Sequence, residues 1–424
     1  MALSIRHPPG AIVSVSHVRF ATIGVASGLY ILARYFRVTD SFYALLASAI
    51  LLWVLYILAS RRVNMPAAQA CLPLIGLWFL FVVSSFWSIA PDRTIYQATG
   101  LLAFVWLSYL VAGSANKVQP SSWVYITTGL SVLVAVLFVS TALRYGSVRI
   151  VSQEMREAIG TFSNVGGAVV ILTLPYSVFS ANGRGKRALL GKLGLVAALA
   201  AVLLSGSRAA YALGGLVMVM SVIAFSENLR RAARWIIFAP IGLVAALFVA
   251  AQFVDLGIVQ ARLVERFAGS VFMGGGAGLS DATDVERARM LDEAASIITS
   301  HPLLGIGYEG FAKWFEAAYG YLLPSHNLFV TALAEAGILG LMACLWLIVA
   351  SAGRVVRAVR FSERNSASRR FAIATGIALF GALAHSMVRP QLSNPMFFFV
   401  LGLALSYRAP SSGLCGTRRL STFR

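Results

Sequence analysis

Ser325-His326-Asn327 opens the run LFVTALAEAGILGLMACLWLIVA, residues 328–350. A segment of that length and character is enough to cross a bilayer, which takes ~20 predominantly apolar residues. The stretch ahead of it is long and polar, so an ionisable ring stands at the mouth of a membrane helix, beside the one large hydrophilic loop of the chain. A histidine there is costly without a task or a partner, and such a group is read first as a functional site.

Working outward, similar runs recur along almost all of the 424 residues, of which 58% are hydrophobic and 12% charged. Twelve spans are expected, at 20–36, 41–59, 68–89, 98–115, 122–142, 161–180, 189–206, 209–225, 235–254, 327–351, 371–388 and 394–407. The expected fold class is all-α, a polytopic transmembrane bundle with one long periplasmic loop that contains helices. Residues 1–254 would hold about nine spans, 255–325 the loop, and 326–424 the last spans and a cytoplasmic tail.

The net charge of +19 raises nucleic acid as a partner, but its placement argues against that. With the N-terminus inside and twelve alternating spans, 22 of the 35 Lys/Arg fall on the cytoplasmic side, with only Glu227 and Glu363 among the 16 acids. Basic short loops orient helices, so the charge reports topology, and the partner implied is the bilayer. Cys71, Cys344 and Cys415 show no metal or redox spacing. No cleavable signal peptide is expected, because the first apolar run lacks an A-x-A site.

Two outer segments are long enough to carry chemistry: 143–160, with Arg144, Arg149 and Arg156, and the 71-residue loop 255–325, with nine acids and five bases. Within the loop, Thr283-Asp284-Val285-Glu286 has the form of a capping box, followed by about eighteen residues of helical pattern. Ala288, Met290, Leu291, Ala294, Ala295, Ile297 and Ile298 cover one arc. Arg289 falls among carboxylates on the other arc, a solvated pattern. Arg287 falls on the apolar arc and there needs an anion. Gly305-Ile-Gly307-Tyr-Glu-Gly310 matches a dinucleotide fingerprint in letters only, with no strand before it, and reads as a turn cluster. The glycines between Gly269 and Gly278 lack a P-loop ending. No cofactor is expected.

Three side chains stand out chemically. Ser207 is placed to cap the helix after it, with Arg208 in the first turn, where free N–H groups and a guanidinium make a phosphate site. His326 is assigned to the first turn of its own helix, where the dipole disfavours imidazolium. Gly337 and Gly340 fall on its side of that helix and would permit close packing. Glu335, nine positions on, falls opposite and is expected to ion-pair with another span. Asp40 and Asp92 are single acids without a paired carboxylate, so a metal is not called for.

These residues resemble a known family. His326-Asn327, nine residues, then Gly337-Ile-Leu-Gly340 is similar to the motif of bacterial O-antigen ligases and the related O-antigen and exopolysaccharide polymerases. Ser205-Gly-Ser-Arg208 resembles their arginine motif, and His301-Pro-Leu-Leu-Gly-Ile-Gly307 the stretch before their histidine. Arg287 matches their loop arginine; Trp87-Ser-Ile-Ala-Pro91 and Phe162-Ser-Asn164 are weaker landmarks. The resemblance covers roughly 195–345, with one departure: Ala212 stands where the ligase pattern has leucine, and Leu213 follows.

The resemblance implies a GT-C-like glycosyltransferase of the bacterial inner membrane. It would move a glycan, with inversion and without a metal, from an undecaprenyl diphosphate carrier to a sugar hydroxyl of a glycan or lipid A-core acceptor at the periplasmic face. His326 would be catalytic and Arg208 and Arg287 would bind diphosphate, supported by Ser207, Asn327, Glu335, Gly337 and Gly340. A polymerase of the same family is the alternative. A flippase of the lipid-linked glycan is the rival of another class; it is disfavoured because the chain shows no matching halves.

Overall fold

A computed structural model describes residues 23–29, 31–32, 65–115, 119–145, 153–205, 207–226, 280–325, 327–364, 366–387, 392 and 394–407. Among these the chain is helical throughout, with no strand. The elements are α1 (Met65–Ala70), α2 (Leu72–Val83), a short 3-10 turn (Ser84–Phe86), α3 (Pro91–Ala115), α4 (Pro120–Tyr145), α5 (Gln153–Ala181) and α6 (Gly185–Ser205). They continue with α7 (Arg208–Phe225), α8 (Ser280–Ser300), α9 (Gly310–Tyr319), α10 (Leu328–Phe361), α11 (Ala367–Ser386) and α12 (Pro395–Ser406).

Among the described residues, four helices are long and apolar enough to cross a membrane: Pro91–Ala115, Ser122–Thr141, Leu328–Phe361 and Ala367–Ser386. Shorter apolar helices cover Leu72–Phe86, Gly166–Ala181, Ala209–Phe225 and Met396–Ser406. The spans expected at 41–59 and 235–254 lie outside the described residues, as does the loop before Ser280. The segment 143–160, expected as an outer loop, is helical in its described residues: α4 runs to Tyr145 and α5 starts at Gln153.

The centre of the bundle is α12, apolar on every side and therefore buried on every side. Phe397, Phe398 and Phe399 are fully enclosed. Phe398 stacks on Phe104 at 5.2 Å and Phe399 meets Trp123 edge-on at 5.6 Å. Gly402 lets α12 touch the α3 backbone, since a Cβ there would lie 2.7 Å from the Ser108 carbonyl oxygen. Ser108 Oγ donates to the Phe398 carbonyl at 2.7 Å, keeping its hydroxyl satisfied in an apolar core. Outward, α10 exposes Met342, Trp346, Val349 and Val356, and α6 exposes Leu189, Leu193 and Val196. Exposed apolar stripes of this kind suit a hydrocarbon solvent.

Polar contacts join helices inside the bundle, where Ser131 Oγ and Thr173 Oγ1 lie 2.7 Å apart, and also near helix ends. Arg187 Nη2 donates to Gln119 Oε1 at 3.4 Å, Arg354 Nη1 donates to the Leu405 carbonyl at 2.9 Å, and Arg369 Nε donates to the Val359 carbonyl at 3.1 Å. The turn between α2 and α3 meets residues 304–309 through Trp87, Ile89, Arg93 and Thr94.

A candidate active site where a helix breaks

The candidate site forms around the front of α10. Asn327 caps this helix, its Oδ1 accepting from Phe329 N at 2.9 Å and Val330 N at 3.3 Å. Its carbonyl accepts from Thr331 N at 2.8 Å and Thr331 Oγ1 at 2.9 Å, and the Thr331 hydroxyl also shares a short hydrogen bond with Ser325 Oγ. The cap corrects one expectation. Helical backbone starts at Leu328, so the position of His326 precedes the cap instead of lying in the first turn. Asn327 takes the N–H groups of the second and third helical residues, which is what ends a helix at its N-terminus. His326 itself lies outside the described residues.

Three turns in, α10 is not helical at Gly337, where φ is 62° and ψ is −159°. The segment after α8 packs into this break. Ile306 N donates to the Ala334 carbonyl at 3.1 Å, Gly307 N to the Glu335 carbonyl at 2.8 Å, and Ile338 N to the Pro302 carbonyl at 2.9 Å. A Cβ at Gly337 would lie 2.2 Å from the Leu303 carbonyl oxygen, and one at Gly305 would lie 2.4 Å from the Glu335 carbonyl carbon. Gly340 abuts its own helix: a Cβ there would lie 2.5 Å from the Ala332 carbonyl oxygen. The two glycines therefore serve the break and the docked segment, not helix–helix packing as expected. The break also ends the ideal-helix register that aligned them with His326.

Gly305-Ile-Gly307-Tyr-Glu-Gly310 is the turn cluster expected, with positive φ at Gly305 (65°) and Gly307 (91°). Gly307 is crowded by Ser88, whose Cβ would stand 2.3 Å from an added Cβ. Ile89 N donates to the Ile306 carbonyl at 3.1 Å and Trp87 Nε1 to the Leu304 carbonyl at 2.9 Å. Residues 87–89 thus hold the far side of the segment that α10 holds on the near side. Tyr308 is fixed by Ser84 Oγ on its N–H (3.0 Å), by Thr94 Oγ1 on its carbonyl (2.6 Å), and by stacking on Phe81 at 4.2 Å.

Glu335 is 3% exposed, and the expected ion pair to another span is not what holds it. Its Oε2 accepts from Glu309 N at 2.8 Å and its Oε1 from Phe311 N at 3.3 Å, at the start of α9. The first N–H groups of a helix lack partners in their own helix and favour an anion, so this carboxylate and this helix end satisfy each other. Arg93 Nη2 grips the carboxylate of Glu309 at 3.1 Å. A small cavity of about 50 Å³ opens here, lined in part by Gln97, Tyr308, Glu309, Ser325, Thr331 and Glu335. It lies against the residue immediately before His326.

The loop helix α8 starts at Ser280, ahead of the capping box read at Thr283. Of its expected apolar arc, Met290, Ala294 and Ile297 are buried against Ile306, Phe311, Phe315 and Ala334, whereas Ala288, Leu291 and Ala295 are exposed. Arg287 sits in α8, three residues before Met290. On the other side, Glu293 accepts from Trp314 Nε1 at 2.8 Å and from Tyr319 OH at 3.0 Å. That hydrogen bond pushes the Tyr319 hydroxyl above its ordinary pKa, because it favours the protonated phenol. Arg289 is exposed, as expected, and its guanidinium lies over the Tyr319 ring at 5.6 Å.

Ser207 caps α7 as expected, its side chain accepting from Ala210 N at 3.4 Å, and Arg208 is the first helical residue. This helix packs on α5 and α11: Gly167 faces Ala210, and Gly381 lies between Ile171 and Val217. The structure therefore brings together Asn327, Glu335, Gly337, Gly340 and the segment following α8. Ser207 and Arg208 stand at the start of α7, which packs on α5 and α11. Arg93, Glu309 and Thr94 were not singled out in the sequence; the signals near them were the landmark at Trp87 and the turn cluster Gly305–Gly310.

These features define an all-helical integral membrane protein with a polar site where a broken helix receives a loop. Residues 193–345 match the family model described as O-Antigen ligase. That stretch is similar to the O-antigen ligase family, as its motifs indicated, and it contains α7, α8, α9 and the break in α10. No curated protein matches the chain.

Proposed function

We propose that the protein is a membrane glycosyltransferase of O-antigen ligase type. It transfers a glycan from an undecaprenyl diphosphate carrier to a sugar hydroxyl at the periplasmic face of the inner membrane. The observation that carries this reading is the match over 193–345, together with the docking of its loop into the helix that follows His326-Asn327.

In the proposed step the acceptor oxygen attacks the anomeric carbon as the bond from that carbon to the diphosphate oxygen breaks. Inversion follows from the single displacement. His326 takes the hydroxyl proton, and the carrier leaves as its diphosphate. Arg208 and Arg287 neutralise the charge that builds on the leaving group, the electrostatic task that usually contributes most to such catalysis. Two guanidiniums make a divalent cation unnecessary. Ser207 and Asn327 set the two helix starts, and 255–325 is the periplasmic loop.

A polymerase of the same family is the second reading, favoured by Ala212 at the position where the ligase pattern has leucine. The glycan profile of a deletion strain tests both. Loss of all polymer from the lipid A core marks a ligase, and single repeat units remaining on the core mark a polymerase. An unchanged profile of every surface glycan contradicts the proposal.

A further inference from the structure

Glu335 is a buried carboxylate in an apolar helix, a placement that costs free energy unless each oxygen is satisfied. Both oxygens are satisfied by main-chain donors of one short segment, Glu309 N and Phe311 N. The same segment is tied to α10 by three backbone hydrogen bonds around Gly337, and to α3 by the pair between Arg93 and Glu309. Glu309 adopts a left-handed φ of 61°, which aims its N–H at the carboxylate. Behind it, α8 rests its buried face on Ile306, Phe311 and Ala334, so the helix bearing Arg287 seats on the frame that Glu335 closes. The carboxylate also faces the cavity at Ser325, next to His326 in the chain.

We infer that Glu335 is a positioning residue for glycan transfer: it clamps the start of α9 to α10, holding the segment of Arg287 in register with the segment of His326. The inference rests on the proposed function above. Amide replacement discriminates. Glu335→Gln keeps the size of the side chain but turns an N–H₂ donor toward a backbone N–H, losing one of the two bonds. Glu335→Asp keeps the charge and both acceptors on a shorter stem.

The test uses the full-length protein in proteoliposomes with a lipid-linked glycan donor and its acceptor. Initial rates of the wild type, Glu335→Gln and Glu335→Asp are measured beside hydrogen exchange at the amides of Glu309 and Phe311. A misplacement of about 1 Å costs on the order of 10²-fold in rate, so Glu335→Gln should lose about 10- to 100-fold in kcat. Exchange at those two amides should quicken, and Glu335→Asp should recover part of kcat. Unchanged kcat, a loss confined to KM, or unaltered exchange in Glu335→Gln would overturn the inference while the wild type still transfers glycan. A wild type that transfers nothing removes the proposed function, and the positioning role with it.

Discussion

Gly337→Ala should break the docking of the loop into α10, and its cost can be worked from geometry. The backbone at Gly337, φ 62° and ψ −159°, lies in a region used almost only by glycine, and an alanine there costs about 1–3 kcal/mol. The new Cβ would stand 2.2 Å from the Leu303 carbonyl oxygen and 2.3 Å from its carbon, so the loop must move away. That movement strains three backbone hydrogen bonds, from Ile306, Gly307 and Ile338, each contributing about 1 kcal/mol net. The combined loss is about 4–6 kcal/mol if the docking is released. Gly353→Ala is the control on the same helix: nothing lies within 4 Å of its Cβ position, and alanine gains about 0.5–1 kcal/mol over glycine in a helix interior. Thermal unfolding of the purified protein in detergent, followed by tryptophan fluorescence, should show Gly337→Ala melting well below wild type and Gly353→Ala at or above it. Coincident curves for Gly337→Ala and wild type would refute the docked break.

Three further outcomes are expected. Arg208→Ala and Arg287→Ala should each abolish transfer in protein that still folds, lysine should rescue only partly for want of the planar fork, and Arg289→Ala should stay active. Equal loss at Arg287 and Arg289 would contradict the division of α8 into two faces. Asn327→Ala should lower stability by about 0.5–2 kcal/mol, the usual worth of an N-cap, read as a lower melting midpoint. Alkaline phosphatase fused after residue 280 should be active and after residue 363 inactive; the reverse pattern would sink the periplasmic assignment.

Much of this was legible because it is local. Apolar run length located α3, α4, α10 and α11, and a serine ahead of an apolar run marked the cap at Ser207, whereas the cap at Asn327 lies past the residue expected in the first turn. Met290, Ala294 and Ile297 emerged from a 3.6-residue period. What failed was non-local. A helical wheel assumes unbroken backbone, and the break at Gly337 depends on Leu303 and Pro302, more than thirty residues earlier in the chain. The partner of Glu335 was sought among charged side chains, but its donors are main-chain N–H groups that composition does not reveal. Trp87 was recognisable only as a landmark, since its partner at Leu304 is 217 positions away.

The most direct measurement is transfer by purified wild type and His326→Ala in proteoliposomes, scored beside binding of the lipid diphosphate donor. The wild type should transfer glycan; His326→Ala should lose turnover yet bind donor as before, because donor binding is assigned to the arginines. Full transfer by His326→Ala would contradict the catalytic role, and loss of donor binding would move His326 into the diphosphate site.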